Sequence, residues 1–169
     1  MKEVENLDFN DIDDRSKLSQ LVEKIDKDVS HIIFNIIKAG KTPIVIGGGH
    51  NNSYGNIKGT ALAKGKPINA VNFDAHSDFR ILEGRHSGNG SSYAYEEGFL
   101  NRYFIFGLHE NYTSKKVLDI IKKIEDRVRY TTYDSINIRK EKNFNQELIN
   151  AAQFIQNDFY GIEVDLDAI

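Results

Sequence analysis

The sequence predicts an α/β fold in which a parallel sheet is covered by helices on both sides. Short, continuously apolar runs of the kind found in strands buried on both faces alternate with segments of helical periodicity, five of each. Strands alternating with helices build right-handed βαβ units, and so a parallel sheet. At 169 residues, 40% hydrophobic and 28% charged, the chain suits one domain with a real core. Residues 1–169 are therefore expected to form a single unit, free of internal repeats, low-complexity tracts and proline-rich linkers.

Residues 1–14 carry Glu3, Glu5, Asp8, Asp11, Asp13 and Asp14 among few apolar positions and read as a loosely ordered, solvated lead-in. From about Ser16, the residues Leu18, Leu21, Val22, Ile25, Val29, Ile32, Ile33 and Ile36 recur at helical spacing, and Gly40 stands where a C-terminal cap belongs. His31 lies within this helix, has no ligand-type neighbour at short spacing and reads as structural. Pro43-Ile44-Val45-Ile46 is the first expected strand, and the glycines at 47–49 allow a sharp turn that presents His50 at its carboxyl end. A helix follows from about Ser53 to Lys64, and its Gly55 and Gly59 suit close packing against the sheet.

The apolar run Ile68–Phe73 leads straight into Asp74, His76 and Asp78, three potential metal ligands spaced two apart. In an extended chain alternate side chains share a face, so the three can converge just past the strand. The polar stretch Arg80–Ser92 reads as a loop, and loops beside such a site are where substrate contacts live. A short helix is expected over Tyr93–Phe99 and a strand over Arg102–Gly107, with His109 and Glu110 at its end. Thr113 or Ser114 caps a helix through Ile124, and Val128–Tyr130 is a short strand. A helix from about Asn145 to Gln156 precedes a last strand, Tyr160–Ile169, that carries Asp165 and Asp167 on one face.

Composition narrows the function. With a net charge of −3 and Lys and Arg spread along the chain, there is no basic stripe to track phosphates, so nucleic acid is not expected as a partner. No apolar run approaches bilayer length, and the N-terminus is acidic and polar where a secretory leader is basic then apolar. A soluble, cytoplasmic protein without a membrane partner is expected. The absence of cysteine leaves any metal to His, Asp and Glu.

In parallel α/β sheets ligands bind outside the carboxyl ends of the strands. His50, the Asp74-His76-Asp78 set and the Asp165-Asp167 pair all fall at or near those ends. Four carboxylates and two imidazoles are too many for one tetrahedral zinc site. They suit two divalent ions sharing carboxylates, and oxygen-rich donors with some imidazole favour manganese. Two such ions about 3.5–4 Å apart activate a shared water, so the generic expectation is metal-assisted hydrolysis. The glycine loop lacks the Lys-Ser or Lys-Thr of a phosphate-binding loop and the spacing of a dinucleotide fingerprint.

Gly47-Gly48-Gly49-His50, Asn72-Phe73-Asp74-Ala75-His76-Ser77-Asp78, Ser87-Gly88-Asn89 and Asp165-Leu166-Asp167 together resemble, in order, the signature blocks of the ureohydrolase superfamily of arginases, agmatinases and formimidoylglutamases. The resemblance runs from about residue 43 to the end of the chain. It implies an arginase-type three-layer αβα fold and two Mn2+ ions. One ion would sit on His50, Asp74, Asp78 and Asp165, the other on Asp74, His76, Asp165 and Asp167. It further implies that a bridging hydroxide attacks an amidine or guanidinium carbon, with Asp78 carrying a proton to the leaving amine. Ser87 and Asn89, assisted by Arg85 or His86, would hold the substrate's amino-acid end.

Gly49 stands where arginases and agmatinases typically carry an acidic residue, and Gly90-Ser91-Ser92-Tyr93 replaces the His-Gly pair that arginases usually have there. Both features are more similar to formimidoylglutamases. The expected substrate is N-formimidoyl-L-glutamate, with arginine or agmatine as the alternatives within the family. Family enzymes carry further strands and helices after the Asp-x-Asp strand, including a glutamate that grips the amidine group. The chain thus resembles a ureohydrolase with its C-terminal part missing, expected to be weakly active or inactive alone, and a homo-oligomer of the full-length parent is compatible with it. The competing readings are a catalytically inactive metal-binding fragment or pseudoenzyme, and a nucleotide-binding α/β domain that uses the glycine loop.

Overall fold

A computed structural model describes residues 7, 8 and 10–168. Among these residues five α-helices, α1 (Ile12–Lys38), α2 (Asn52–Lys64), α3 (Gly90–Glu96), α4 (Lys115–Lys123) and α5 (Phe144–Ile155), accompany four strands, β1 (Ile68–Phe73), β2 (Leu100–Leu108), β3 (Val128–Thr132) and β4 (Tyr160–Val164). The strands form one sheet in the order β3-β2-β1-β4. Every pairing is parallel, as the alternating pattern predicts.

The mostly apolar character of β1 and β2 follows from their central places, where both faces are covered. On one face Ile68, Ala70 and Ile105 pack with Tyr54 and Ile57 of α2, Ala94 of α3 and Ile121 of α4. On the other, Val71, Phe104 and Phe106 meet Ala151, Phe154 and Ile155 of α5. Ser114 caps α4 by accepting from Val117 N, and Asn143 caps α5 by accepting from Gln146 N.

The helix from Ser16 in fact begins at Ile12, because the Asp11 carboxylate accepts from the amides of Asp13 and Asp14 at 2.9 and 3.0 Å. Asp13 and Asp14 then lie in a first turn, where the helix dipole favours negative charge, so the lead-in expected to reach residue 14 ends sooner. Its Glu3 and Glu5 lie outside the described residues.

Gly55 and Gly59 pack against α1 and not against the sheet. A β-carbon on Gly59 would stand 2.5 Å from the carbonyl oxygen of Ser30, and one on Gly55 would stand 2.8 Å from the Val29 side chain. These glycines let α1 settle onto the outer side of α2.

The largest departure is the first expected strand. Residues 43–46 form no strand, and Ile44 and Ile46 are 84% and 93% exposed. A strand exists only by pairing, and among the described residues nothing pairs with this run. The sheet therefore has four strands where five are expected. Gly47 and Gly48 do turn the chain, with φ of 85° and 82°, and they lead His50 into the start of α2.

Two smaller differences concern the site. The last strand stops at Val164, so Asp165 follows it and Asp167 lies in a short helical turn. The stretch expected as loop up to Ser92 becomes helical at Gly90. Gly90, Ser91 and Ser92 are small enough to be buried there, and a β-carbon on Gly90 would meet the Ser53 hydroxyl of α2.

Candidate metal centre

The carboxyl ends of β1 and β4 meet beside the N-terminus of α2, and the six donors expected from the sequence gather there. His50, Asp74 and Asp78 form one group able to hold a metal ion, and Asp74, His76 and Asp167 form a second. Asp74, the first residue past the central strand β1 and fully buried, belongs to both. Its Oδ2 lies 3.3 Å from Nδ1 of His50 and its Oδ1 lies 3.5 Å from Nδ1 of His76. One carboxylate thus faces two imidazoles with its two oxygens. Asp165 Oδ2 stands 2.7 Å from His50 Nδ1, and Asp167 Oδ2 stands 2.9 Å from His76 Nδ1.

The 74–78 stretch is not extended as expected. It bends, with Asp78 at φ 48°, in the left-handed region that non-glycine residues rarely adopt. The bend swings Asp78 to within 3.2 Å of His50 Nδ1. The three residues therefore cluster through a turn and not through the alternation of an extended chain.

Electrostatics shows which charge the cluster favours. Asp78 Oδ2 is buried and accepts no hydrogen bond, and burial, aided by the carboxylates of Asp74, Glu163 and Asp165, pushes its carboxyl up to about 8. Burial also raises Asp74, against the hydrogen bond it accepts from His76 N at 2.6 Å. For His50 burial acts downward, but Glu163, Asp78 and Asp165 outweigh it and hold the imidazole up to about 10. Against the effect of burial, His50 beside Asp165 keeps that carboxylate below its usual range. Buried carboxylates around one imidazolium are a site in which positive charge is in demand, and hard oxygen donors with imidazole suit a divalent ion of the manganese type.

Asn72, Tyr103 and Glu163 are participants that the sequence reading does not assign. Asn72, buried on β1, donates to Asp74 Oδ2 at 2.8 Å, and its side-chain nitrogen also lies 3.1 Å from the Tyr103 hydroxyl of β2. Glu163 of β4 stands 3.2 Å from His50 Nε2. For Asn72 the available signal was its place two residues before Asp74, on the same side of a mostly apolar strand. His109, at the end of β2, is stacked between Tyr112 and Tyr133, and Tyr112 in turn stacks on His76.

The loop that follows Asp78 is tied to it by Ser91 N donating to Asp78 O at 3.2 Å. Of the residues expected to meet substrate there, two are turned inward. Arg85 is buried, pairs with Asp26 of α1 at 2.8 Å and donates to Asn89 Oδ1 at 2.6 Å. Asn89 is also fully buried, with its amide donating to Gly84 O. Both side chains brace the loop, because their hydrogen-bonding groups are already engaged by protein. His86 Nδ1 accepts from Gly88 N at 3.1 Å and its Nε2 lies 3.3 Å from Glu83. Ser87 is exposed at the start of a short helical turn.

The sequence matches the arginase family along residues 1–169. The chain belongs to the arginase family. Within that family it is 28% identical over 138 residues to a formimidoylglutamase of Macrococcus caseolyticus, a match covering 81% of this chain and 43% of that protein. To a formimidoylglutamase of Streptococcus gordonii it is 27% identical over 126 residues, covering 70% of this chain and 38% of that one. The chain therefore spans less than half the length of these relatives. Among solved structures, formimidoylglutamase from Bacillus subtilis superposes with a TM-score of 0.73 at 23% identity, covering 96% of this chain and 48% of that one. A Trypanosoma cruzi formiminoglutamase with Mn2+ gives 0.73 at 21% identity, covering 86% and 48%. These likenesses show the arginase-like α/β fold expected from the signature blocks. Among the described residues no helix is long and apolar enough to cross a membrane.

Proposed function

We propose that this chain carries the metal-binding core of a binuclear manganese-dependent hydrolase that cleaves a C–N bond of a linear amidine or guanidino compound. N-formimidoyl-L-glutamate is the foremost substrate, with arginine and agmatine the alternatives. The observation that carries this reading is the sharing of Asp74 between two donor groups. His50, Asp74, Asp78 and Asp165 would hold one Mn2+, and Asp74, His76, Asp165 and Asp167 the other. When bound, the ion pair would supply Lewis-acid activation of water and of the electrophilic carbon.

The chain's own residues then divide the work. Asp74 fixes the spacing of the two groups, and Asn72 holds its Oδ2 in place. Asp78, whose Oδ2 is buried 3.2 Å from His50 Nδ1, would pass a proton to the leaving amine. Water adds to the amidine carbon as the C–N bond to the amine breaks, and the amine nitrogen takes the proton. Formimidoyl-glutamate would give formamide and glutamate. Ser87 is the loop residue whose side chain is left for the substrate's amino-acid end, while Arg85, His86 and Asn89 shape the loop. A small-molecule partner and a cytoplasmic setting belong to the same reading.

Resemblance to formimidoylglutamases supports the choice of substrate. The test is Mn2+ titration by calorimetry, followed by assays for formamide from formimidoyl-glutamate and urea from arginine and agmatine. Uptake of two ions per chain with formamide release is the expected result. No uptake overturns the reading, and uptake without turnover on any of the three substrates leaves a metal-binding chain only.

A further inference from the structure

His50 is held from both edges of its ring. Nδ1 faces Asp165, Asp78 and Asp74 at 2.7, 3.2 and 3.3 Å, the donor side of the site. Nε2, on the opposite edge, faces Glu163 Oε2 at 3.2 Å. Glu163 belongs to neither candidate metal-binding group. Its place follows from the sheet. In the parallel pairing of β1 with β4, Glu163 is the register partner of Asn72. Side chains two apart share a face, so Asn72 and Glu163 stand side by side one step below Asp74 and Asp165. Asn72 already shows what that lower row does, since it donates to Asp74 and orients it.

We infer that Glu163 is a positioning residue for His50: by accepting the Nε2–H hydrogen bond it fixes the ring so that the Nδ1 lone pair points into the donor cluster. This rests on the manganese reading above and names a residue that reading does not use. A ligating imidazole needs one nitrogen bare and the other protonated, and a hydrogen bond to the second nitrogen decides which is which. Glu163 is suited to this because its carboxylate can only accept when ionised. Its side chain is only 14% exposed, so water competes weakly for the contact. A direct ligand role fits the geometry less well, since Glu163 approaches the ring edge that faces away from Asp74, Asp78 and Asp165.

The experiment compares the full chain with Glu163→Ala, Glu163→Met and Glu163→Gln by two-site Mn2+ calorimetry. Loss of the acceptor in the first two variants is expected to weaken the site that contains His50 by about 10–100-fold, the usual effect of removing such a support. The site that contains His76 should move far less. Glu163→Gln keeps a carbonyl oxygen that can still accept from Nε2–H and should recover most of the affinity. The second readout is metal-free: the His50 Nε2–H resonance in 15N-histidine-labelled protein should exchange with solvent faster in Glu163→Met than in the parent. Unchanged Mn2+ affinity in folded Glu163→Ala or Glu163→Met overturns the inference, as does Glu163→Gln losing as much as they do. If the parent chain takes up no Mn2+, the manganese reading fails and the proton-exchange result alone decides the role of Glu163.

Discussion

Asp74→Asn should move the stability of the protein in opposite directions with and without manganese. Asparagine has nearly the same shape and can keep the hydrogen bond from His76 N, and a flip of the Asn72 amide, whose Oδ1 is without a partner, lets Asn72 accept from the new amide nitrogen, so the change removes mainly a charge. In the metal-free protein that charge is fully buried and its carboxyl is raised by burial, so ionised Asp74 costs stability. The metal-free variant should melt at or above the parent. With manganese the sign reverses. An ion at 100 times its dissociation constant stabilises the folded state by about 2.7 kcal/mol. For a chain of this size that corresponds to about 5–11 °C, at about 2–4 °C per kcal/mol. Because both donor groups contain Asp74, the variant should lose this shift for both ions together. Differential scanning fluorimetry across a Mn2+ series, with EDTA as the metal-free reference, measures both effects. A variant that keeps the full manganese shift would refute the placing of Asp74 between two ions.

Gly59→Ala sets a helix-propensity gain of about 1 kcal/mol against a β-carbon 2.5 Å from Ser30 O. Overpacking of this kind costs about 1–3 kcal/mol, so urea denaturation should show a net loss, and a stabilised variant would contradict the α1–α2 contact. Arg85→Met leaves Asp26 buried without its partner and should cost about 3–5 kcal/mol, with the double change to Asp26→Leu and Arg85→Met recovering part of it. An exposed Arg85 with a purely substrate-binding role would instead leave the melting temperature alone. Burial first, then Arg80, lowers the pKa of His86. The neutral ring that accepts from Gly88 N is therefore favoured by folding, and its contribution is present above the ordinary value of 6.5 and lost as pH falls through the lower folded value. An NMR titration placing His86 at or above 6.5 would contradict this.

What could be read from the sequence divides by how far apart the interacting residues are. Asp74, His76 and Asp78 were legible because an apolar strand ends in three donors, and a buried strand end has few other uses for them. Helix α4 was legible from its own spacing and its cap, and α5 from a stretch within one residue of its observed bounds. The status of 43–46 was not, because an apolar run becomes a strand only through a neighbour, which composition does not contain. The inward turn of Arg85 depends on Asp26, 59 residues earlier in another helix, so the loop alone read as solvent-facing. Glu163 was overlooked because in Ile162-Glu163-Val164-Asp165 it looks like one more residue on the polar side of an alternating strand. Only the register against Asn72 places it under the site.

The two donor groups differ in their access to water. Asp74 and Asp78 of the first are buried and His50 is partly so, whereas His76 and Asp167 of the second are exposed. On the manganese reading this makes the pair unequal in time as well as in space. An ion held by the first group would have to shed its hydration among buried carboxylates and would leave slowly. One held by the second group, whose His76 and Asp167 are exposed, would exchange quickly. Dilution or a brief exposure to chelator would then empty the sites in order and leave a half-loaded protein with the His50 group still filled.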